Sequence, residues 1–105
     1  DVNNVYVTCT NQAIDPYDYI RRFPHAIVGE IHLGGHDVDS DDHGAPLLID
    51  SHGAAVADPV WQLYAATLQA SGPKPTLIEW DNDVPDWPTL AREAQRAAGL
   101  LCVPA

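Results

Sequence analysis

Three short pairs of residues carry most of the chemistry in this sequence: Glu30 with His32, Asp50 with His52, and Glu79 with Asp81. Each joins a carboxylate to an imidazole or to a second carboxylate, two positions apart, at the end of an apolar run that reads as a strand. Side chains two apart on a strand share a face. Each pair is therefore expected to send two ligand-type groups into one space. Burying several carboxylates together is costly unless cations offset them. The chain has only five Lys and Arg residues, and none stands inside these strand ends. A metal ion is the natural counter-charge. Mixed imidazole and carboxylate ligands suit iron, manganese or zinc, and the absence of Cys from the pairs argues against a structural zinc site. Each pair alone has a plainer reading, because a carboxylate at a strand end often caps the next loop and a strand His is often a hydrogen-bonded core residue. Three pairs at equivalent positions favour a shared site.

Other polar residues divide between the site and the scaffold. Asp1-Val2-Asn3-Asn4 adds an Asp and two amides just before the first strand-like stretch. His36 follows Gly34-Gly35, where the backbone can bend it back over the pocket as a ligand, a support for a ligand or a substrate contact. His43 reads as a surface loop residue. His25 precedes a strand at its opposite end and reads as structural. Trp61, Trp80 and Trp87 read as packing residues, with Trp80 turned away from Glu79 and Asp81 towards the helices. Asp37, Asp39, Asp41 and Asp42 read first as a solvated acidic loop, and second as a holder for a cation or a basic substrate segment.

The elements that must position these groups alternate between strand and helix. Val5-Tyr6-Val7-Thr8 is β-branched and aromatic and reads as a strand. Asp15 then caps a helix from Pro16 to Arg22, with proline at the first helical position, and Pro24 closes it. Ala26 to Leu33 is a strand, Gly34 to Ala45 a Gly- and Asp-rich loop, and Leu47 to Asp50 the next strand. Asp58-Pro59 starts a second helix, with Val60, Leu63, Tyr64, Thr67 and Leu68 on one face; Gly72-Pro73 ends it. Thr76 to Trp80 is the last strand. Asp86 caps a final helix with Pro88 just inside, and Gly99 ends it. Strands apolar on both faces, alternating with helices, belong to a parallel sheet covered by helices. The expected class is α/β: the C-terminal portion of a TIM-type (β/α)8 barrel, with about four parallel strands and three helices. One βα unit, between Leu33 and Leu47, is degenerate. In such a barrel the C-terminal strand ends surround the active site.

Composition sets limits. Hydrophobic residues make up 46% of the 105 positions, enough for a core and too many for a disordered tail. A net charge of −10 repels phosphate backbones and anionic lipid, so neither nucleic acid nor membrane is an expected partner. No apolar run approaches a membrane span, and no signal-peptide pattern opens the chain. Cys9 and Cys102 form no CxxC pair and read as reduced thiols of a cytoplasmic protein. The chain starts at Asp1 without a Met and runs straight into apolar, ladder-like sequence. Residues 1–105 are read as the C-terminal part of one barrel domain whose N-terminal half is absent.

Four motifs now stand in order: Asp1-Val2-Asn3-Asn4-Val5-Tyr6-Val7, Glu30-Ile31-His32-Leu33-Gly34-Gly35-His36, Leu48-Ile49-Asp50-Ser51-His52 and Pro75-Thr76-Leu77-Ile78-Glu79-Trp80-Asp81. Together, from Asp1 to about Ala98, they resemble the domain-of-unknown-function family 692, the bacterial multinuclear non-heme iron-dependent oxidative enzymes. The resemblance implies a TIM-type barrel holding two or three irons. Characterised members use dioxygen to oxidise residues, often cysteine, of ribosomally made precursor peptides, which a small partner protein often delivers. By motif position the implied metal ligands are Asp1, Asn4, His32, Asp50, His52 and Glu79, with His36 and Asp81 beside them as catalytic candidates. The remaining ligands, two His and a Glu, belong to the absent half. Two other readings stand beside this one: a zinc or manganese barrel isomerase or hydrolase acting on a sugar or phosphoester, and a non-catalytic binding fragment with a vestigial polar ring.

Overall fold

The fold of this chain, taken from a computed structural model, is described for residues 1–44 and 46–101. Ala45 and Cys102, the second of the two cysteines, lie outside them. Helix α1 spans Val2–Asn11 and α2 spans Pro16–Arg22. A single 3-10 turn, His25–Ile27, leads to strand β1, Ile31–Gly34. Strands β2, Asp37–Ser40, and β3, Pro46–Ile49, follow. Helix α3, Asp58–Ser71, strand β4, Thr76–Glu79, and helix α4, Trp87–Leu101, complete the order. No helix among the described residues is long and apolar enough to cross a membrane.

The mixed α/β class is present, but the strand inventory differs from the expected four parallel strands and three helices. Among the described residues only β1 and β4 pair in parallel, with Ile31 opposite Thr76 and Gly34 opposite Glu79. β2 and β3 form a separate antiparallel hairpin, with Asp37 opposite Ile49. The link from β2 to β3 is too short for a parallel crossover, which takes a dozen or more residues, so adjacent strands here can pair only antiparallel. Asp37-Val38-Asp39-Ser40, expected as loop, supplies the second strand.

The first stretch is helix rather than strand. Asp1 caps it, accepting a hydrogen bond from the backbone N–H of Asn4 at 2.8 Å. The capped turn rolls Val2, Asn3, Val7 and Cys9 into the interior, and that burial overrides the β-propensity of Val5 to Thr8. The other helices start as the sequence predicts. Asp15 accepts from Tyr17 N–H at 2.9 Å, and Asp86 accepts from Thr89 N–H at 3.1 Å. In α3 the cap is Ala57, with Asp58 inside the first turn. Gly72, with φ 76°, ends α3 and donates to Leu68 O. α4 runs two residues past Gly99.

The core is the α3 face packed under β1 and α1. Val60, Leu63 and Tyr64 of α3 and Leu33 of β1 are almost fully buried, joined by Val2, Ile20, Ile31, Val56 and Trp61. Each such apolar side chain stabilises the fold by roughly 1.5–3 kcal/mol. The Tyr64 hydroxyl reaches Thr76 Oγ1 at 2.7 Å, tying α3 to the start of β4. Trp61 is buried beneath Arg96, as a packing residue should be. Trp87, by contrast, is 76% exposed. This scaffold fixes the C-terminal ends of β1 and β4 side by side, next to the N-terminus of α1.

Candidate metal centre

The structure gathers all eight candidate residues around one space. Asp1 caps α1 and Asn4 lies in its first turn. His32 lies within β1 and His36 just after it. Asp50 and His52 follow β3, Glu79 is the last residue of β4, and Asp81 follows. His52 sits at the centre. Its Nδ1 lies 3.1 Å from Glu79 Oε2 and 3.2 Å from Asp81 Oδ2; its Nε2 lies 2.8 Å from Asp50 Oδ1 and 3.7 Å from Asp1 Oδ2. His32 is likewise held between two carboxylates. Its Nδ1 meets Glu79 Oε1, and its Nε2 is 2.5 Å from Glu30 Oε1. Asn4 Nδ2 donates to Asp50 Oδ2 at 3.2 Å.

The route to this convergence is not simple strand alternation. β3 stops at Ile49, so Asp50 and His52 both lie beyond the strand, and Asp81 lies beyond β4. His52 has φ 51°, a left-handed conformation uncommon outside glycine, although histidine adopts it more readily than most residues. Hydrogen bonds on both sides hold it there. Its N–H donates to Gly35 O at 3.0 Å, and its carbonyl accepts from Asp81 N–H at 2.7 Å and Asn82 N–H at 3.2 Å. The glycines before His36 also act differently from a flexible bend. Neither has a positive φ. They permit close approach: a Cβ on Gly34 would lie 3.1 Å from the His52 ring, and one on Gly35 would lie 2.0 Å from Ala54 O.

Asn3, one of the two amides noted in the sequence but given no role there, turns out to link several parts of the site. It is completely buried. Its Nδ2 donates to Gly35 O at 3.1 Å and to Asp50 Oδ1, and its Oδ1 lies 3.0 Å from His36 Nδ1. Helical spacing was the available signal, since Asn3 and Val7 stand four apart and share the buried face of α1.

The electrostatics follow from this crowding. Burial opposes the charged form of His52, but the hydrogen bond to Asp81 and the charges of Asp50, Glu79 and Asp81 together outweigh it and raise its pKa above the ordinary imidazole value. His36 goes the other way: burial lowers its pKa, against the weaker pull of Asp50 and Asp37. His25 lies outside this group, with Nε2 2.7 Å from Ile20 O. His43 is exposed.

The donor set fits a divalent metal ion. Ligand atoms of Asp1, His52 and Glu79 lie within 4.8 Å of one another. His52 Nε2 is buried and, although beside two carboxylates, is not aligned for a hydrogen bond with either. A buried lone-pair nitrogen among acceptor-only oxygens is what a cation would satisfy. Oxygen and imidazole donors without thiolate suit iron, manganese or zinc.

The chain is similar to several known proteins. A UPF0276 protein of Rhizobium meliloti is 54% identical over 101 residues, covering 96% of this chain and 33% of the relative. One from Paraburkholderia phytofirmans is 48% identical over 97 residues, covering 92% and 32%. One from Acaryochloris marina is 48% identical over 102 residues, covering 97% and 35%. The chain thus spans about a third of the length of the curated relatives it matches. No solved structure gives a significant match. Residues 1–102 match the family described as RiPP precursor modification enzyme MbnB/TglH/ChrH, and with its motif residues gathered at one site the chain belongs to that family.

Proposed function

We propose that this chain forms the C-terminal metal-binding face of a (β/α) barrel that oxidises residues, often cysteine, of a ribosomally made precursor peptide with dioxygen. The reading places two or three irons at the site, held on this side by Asp1, Asn4, His32, Asp50, His52 and Glu79. The observation that carries it is the surrounding of His52 by carboxylates from α1, the β3 end and the β4 end, with no Lys or Arg paired to them among the described residues. Family membership supports a precursor peptide as the substrate class.

Within this reading the residues divide the work. Asp50, Glu79 and Asp1 provide negative charge, and His32 and His52 provide neutral nitrogen donors. Iron held there would supply the redox couple for reaction with dioxygen. Asp81, with its side chain 65% exposed and 3.2 Å from His52, stands where a substrate can meet it, and His36, kept neutral by burial, can accept or relay a proton. The peptide reaches the site with a small delivery protein. The rest of the barrel supplies the remaining ligands, and the whole works in the cytoplasm.

Elemental analysis and oxygen uptake on the full-length protein test this. The expected result is more than one iron per chain, with oxygen consumed when the cognate precursor peptide is added and the peptide mass changed. Zinc or manganese occupancy with turnover of a sugar or phosphoester and no oxygen uptake would replace the reading with a hydrolase or isomerase. A folded protein that takes up no metal would leave only a binding role.

A further inference from the structure

Asn3 touches three parts of the site at once, and its hydrogen-bond directions are fixed by its partners. Gly35 O and the Asp50 carboxylate can only accept hydrogen bonds. The Asn3 atom facing both is therefore the amide nitrogen, and its two N–H groups are both engaged. The remaining atom, Oδ1, can only accept. It faces His36 Nδ1 at 3.0 Å, so that ring nitrogen must carry the hydrogen. A neutral His36 then has its lone pair on Nε2.

We infer that Asn3 is a positioning residue that clamps Asp50 and fixes His36 as its Nδ1–H tautomer, so that Nε2 is the nitrogen His36 offers to the site. The surroundings make the clamp rigid. Asn3 is fully buried, and the carbonyl it bonds on Gly35 also accepts the His52 N–H at 3.0 Å. One amide thus couples the positions of Asp50, His36 and, through a shared carbonyl, His52. The Tyr6 ring packs beside His36 with centroids 5.4 Å apart and limits its rotation. In water a free histidine ring is not restricted to this tautomer, so the preference is a property of the fold. The assignment deepens the metal-site reading, but it concerns hydrogen positions that exist without any ion.

The test is therefore made first on the full-length, metal-free protein. Ring-nitrogen NMR of histidine-labelled protein, with the His36 signals assigned by substitution, should show a protonated Nδ1 and an unprotonated Nε2. Asn3→Asp keeps an acceptor for His36 but loses both donors, and should retain the tautomer. Asn3→Ala removes the acceptor, and the His36 signals should shift towards the Nε2–H form. Ferrous ion titrated anaerobically should bind Asn3→Ala about 10–100-fold more weakly than the parent protein, the usual effect of losing a ligand-orienting partner. An Nε2–H tautomer in the parent protein would overturn the inference, and so would an unchanged tautomer in Asn3→Ala. If Asn3→Ala fails to fold, the parent and Asn3→Asp spectra decide the matter. Failure of the peptide-oxidation reading would leave these spectra unaltered.

Discussion

His52 is the residue on which the site turns, and its charge state sets a measurable competition. Four carboxylates face its two nitrogens, and in the metal-free protein three of them, Asp81, Asp50 and Glu79, outweigh the opposing effect of burial and raise its pKa above the ordinary value of about 6.5. A raised pKa means the folded state binds the proton more tightly than the unfolded state does. The resulting stability is fully present below about pH 6.5 and is lost as pH rises through the elevated folded pKa. A metal ion reverses the preference, since it binds the neutral ring. The metal-free full-length protein should therefore lose stability as pH rises through that window, and metal should restore it. His52→Ala should flatten this part of the stability–pH curve, lower metal content by about one ion and abolish oxidation. His25→Ala, whose ring bonds to Ile20 O outside the site, should keep metal and activity. Denaturation midpoints across pH with elemental analysis check this, and a steep curve surviving in His52→Ala would assign the effect to another group.

At the scale of elements, the helices whose boundaries carry Asp, Pro or Gly signals were legible: α2 begins at Pro16, α3 closes at Gly72 and α4 follows the Asp86 cap. The convergence of the carboxylate and imidazole side chains was legible too, because such residues stand out against apolar runs. Two things were not. α1 looked like a strand because local propensity favours extension at Val5 to Thr8, whereas the Asp1 cap and tertiary burial determine the outcome. Missing the helix also hid the burial of Asn3 on its inner face. The hairpin was invisible because β2 is exposed at every position and so has no buried face to pattern. The close contact of Gly35 with the Ala54 backbone is likewise a tertiary fact, and it carries a prediction. A Cβ at Gly35 would sit 2.0 Å from Ala54 O, so Gly35→Ala must shift backbone that holds both Asn3 and His52. It should destabilise by about 1–3 kcal/mol or more and lower metal occupancy. Gly99→Ala, in a helix with open space around it, should be neutral or stabilise by up to about 1 kcal/mol. Thermal melts and metal analysis of both variants distinguish a packing constraint from a general intolerance of glycine replacement.

At the scale of the whole molecule, a two-stranded parallel sheet is an unfinished structure. β1 pairs with β4, and among the described residues neither strand has a partner on its other edge. Such edges are normally paired or covered, and parallel sheets normally have helices on both faces. The surroundings of both strands are apolar and open. Beside β1, a cavity of ≈ 390 Å³ is bounded by Val2, Val5, Phe23, Val28 and Ile31. Beside β4, one of ≈ 460 Å³ is bounded by Leu77, Ile78, Leu90 and Ala94. Leu77 is 51% exposed, and Ile27 75% exposed. Relatives about three times as long have the chain to add strands to both edges and close a barrel. A closed barrel would also bring ligands from the opposite side to Asp1, His52 and Glu79 and explain why the carboxylates outnumber the cations on this face. The consequence is thermodynamic. Residues 1–105 alone should bind a hydrophobic dye and unfold without a cooperative transition, since their sheet edges and apolar cavities stay wet. The same residues joined to the remaining two-thirds of a full-length relative should unfold in one sharp transition and stop binding the dye. A sharp, dye-free transition for residues 1–105 alone would mean that this face is a self-sufficient domain, and the carboxylate cluster would then have to be balanced by metal bound to this chain alone.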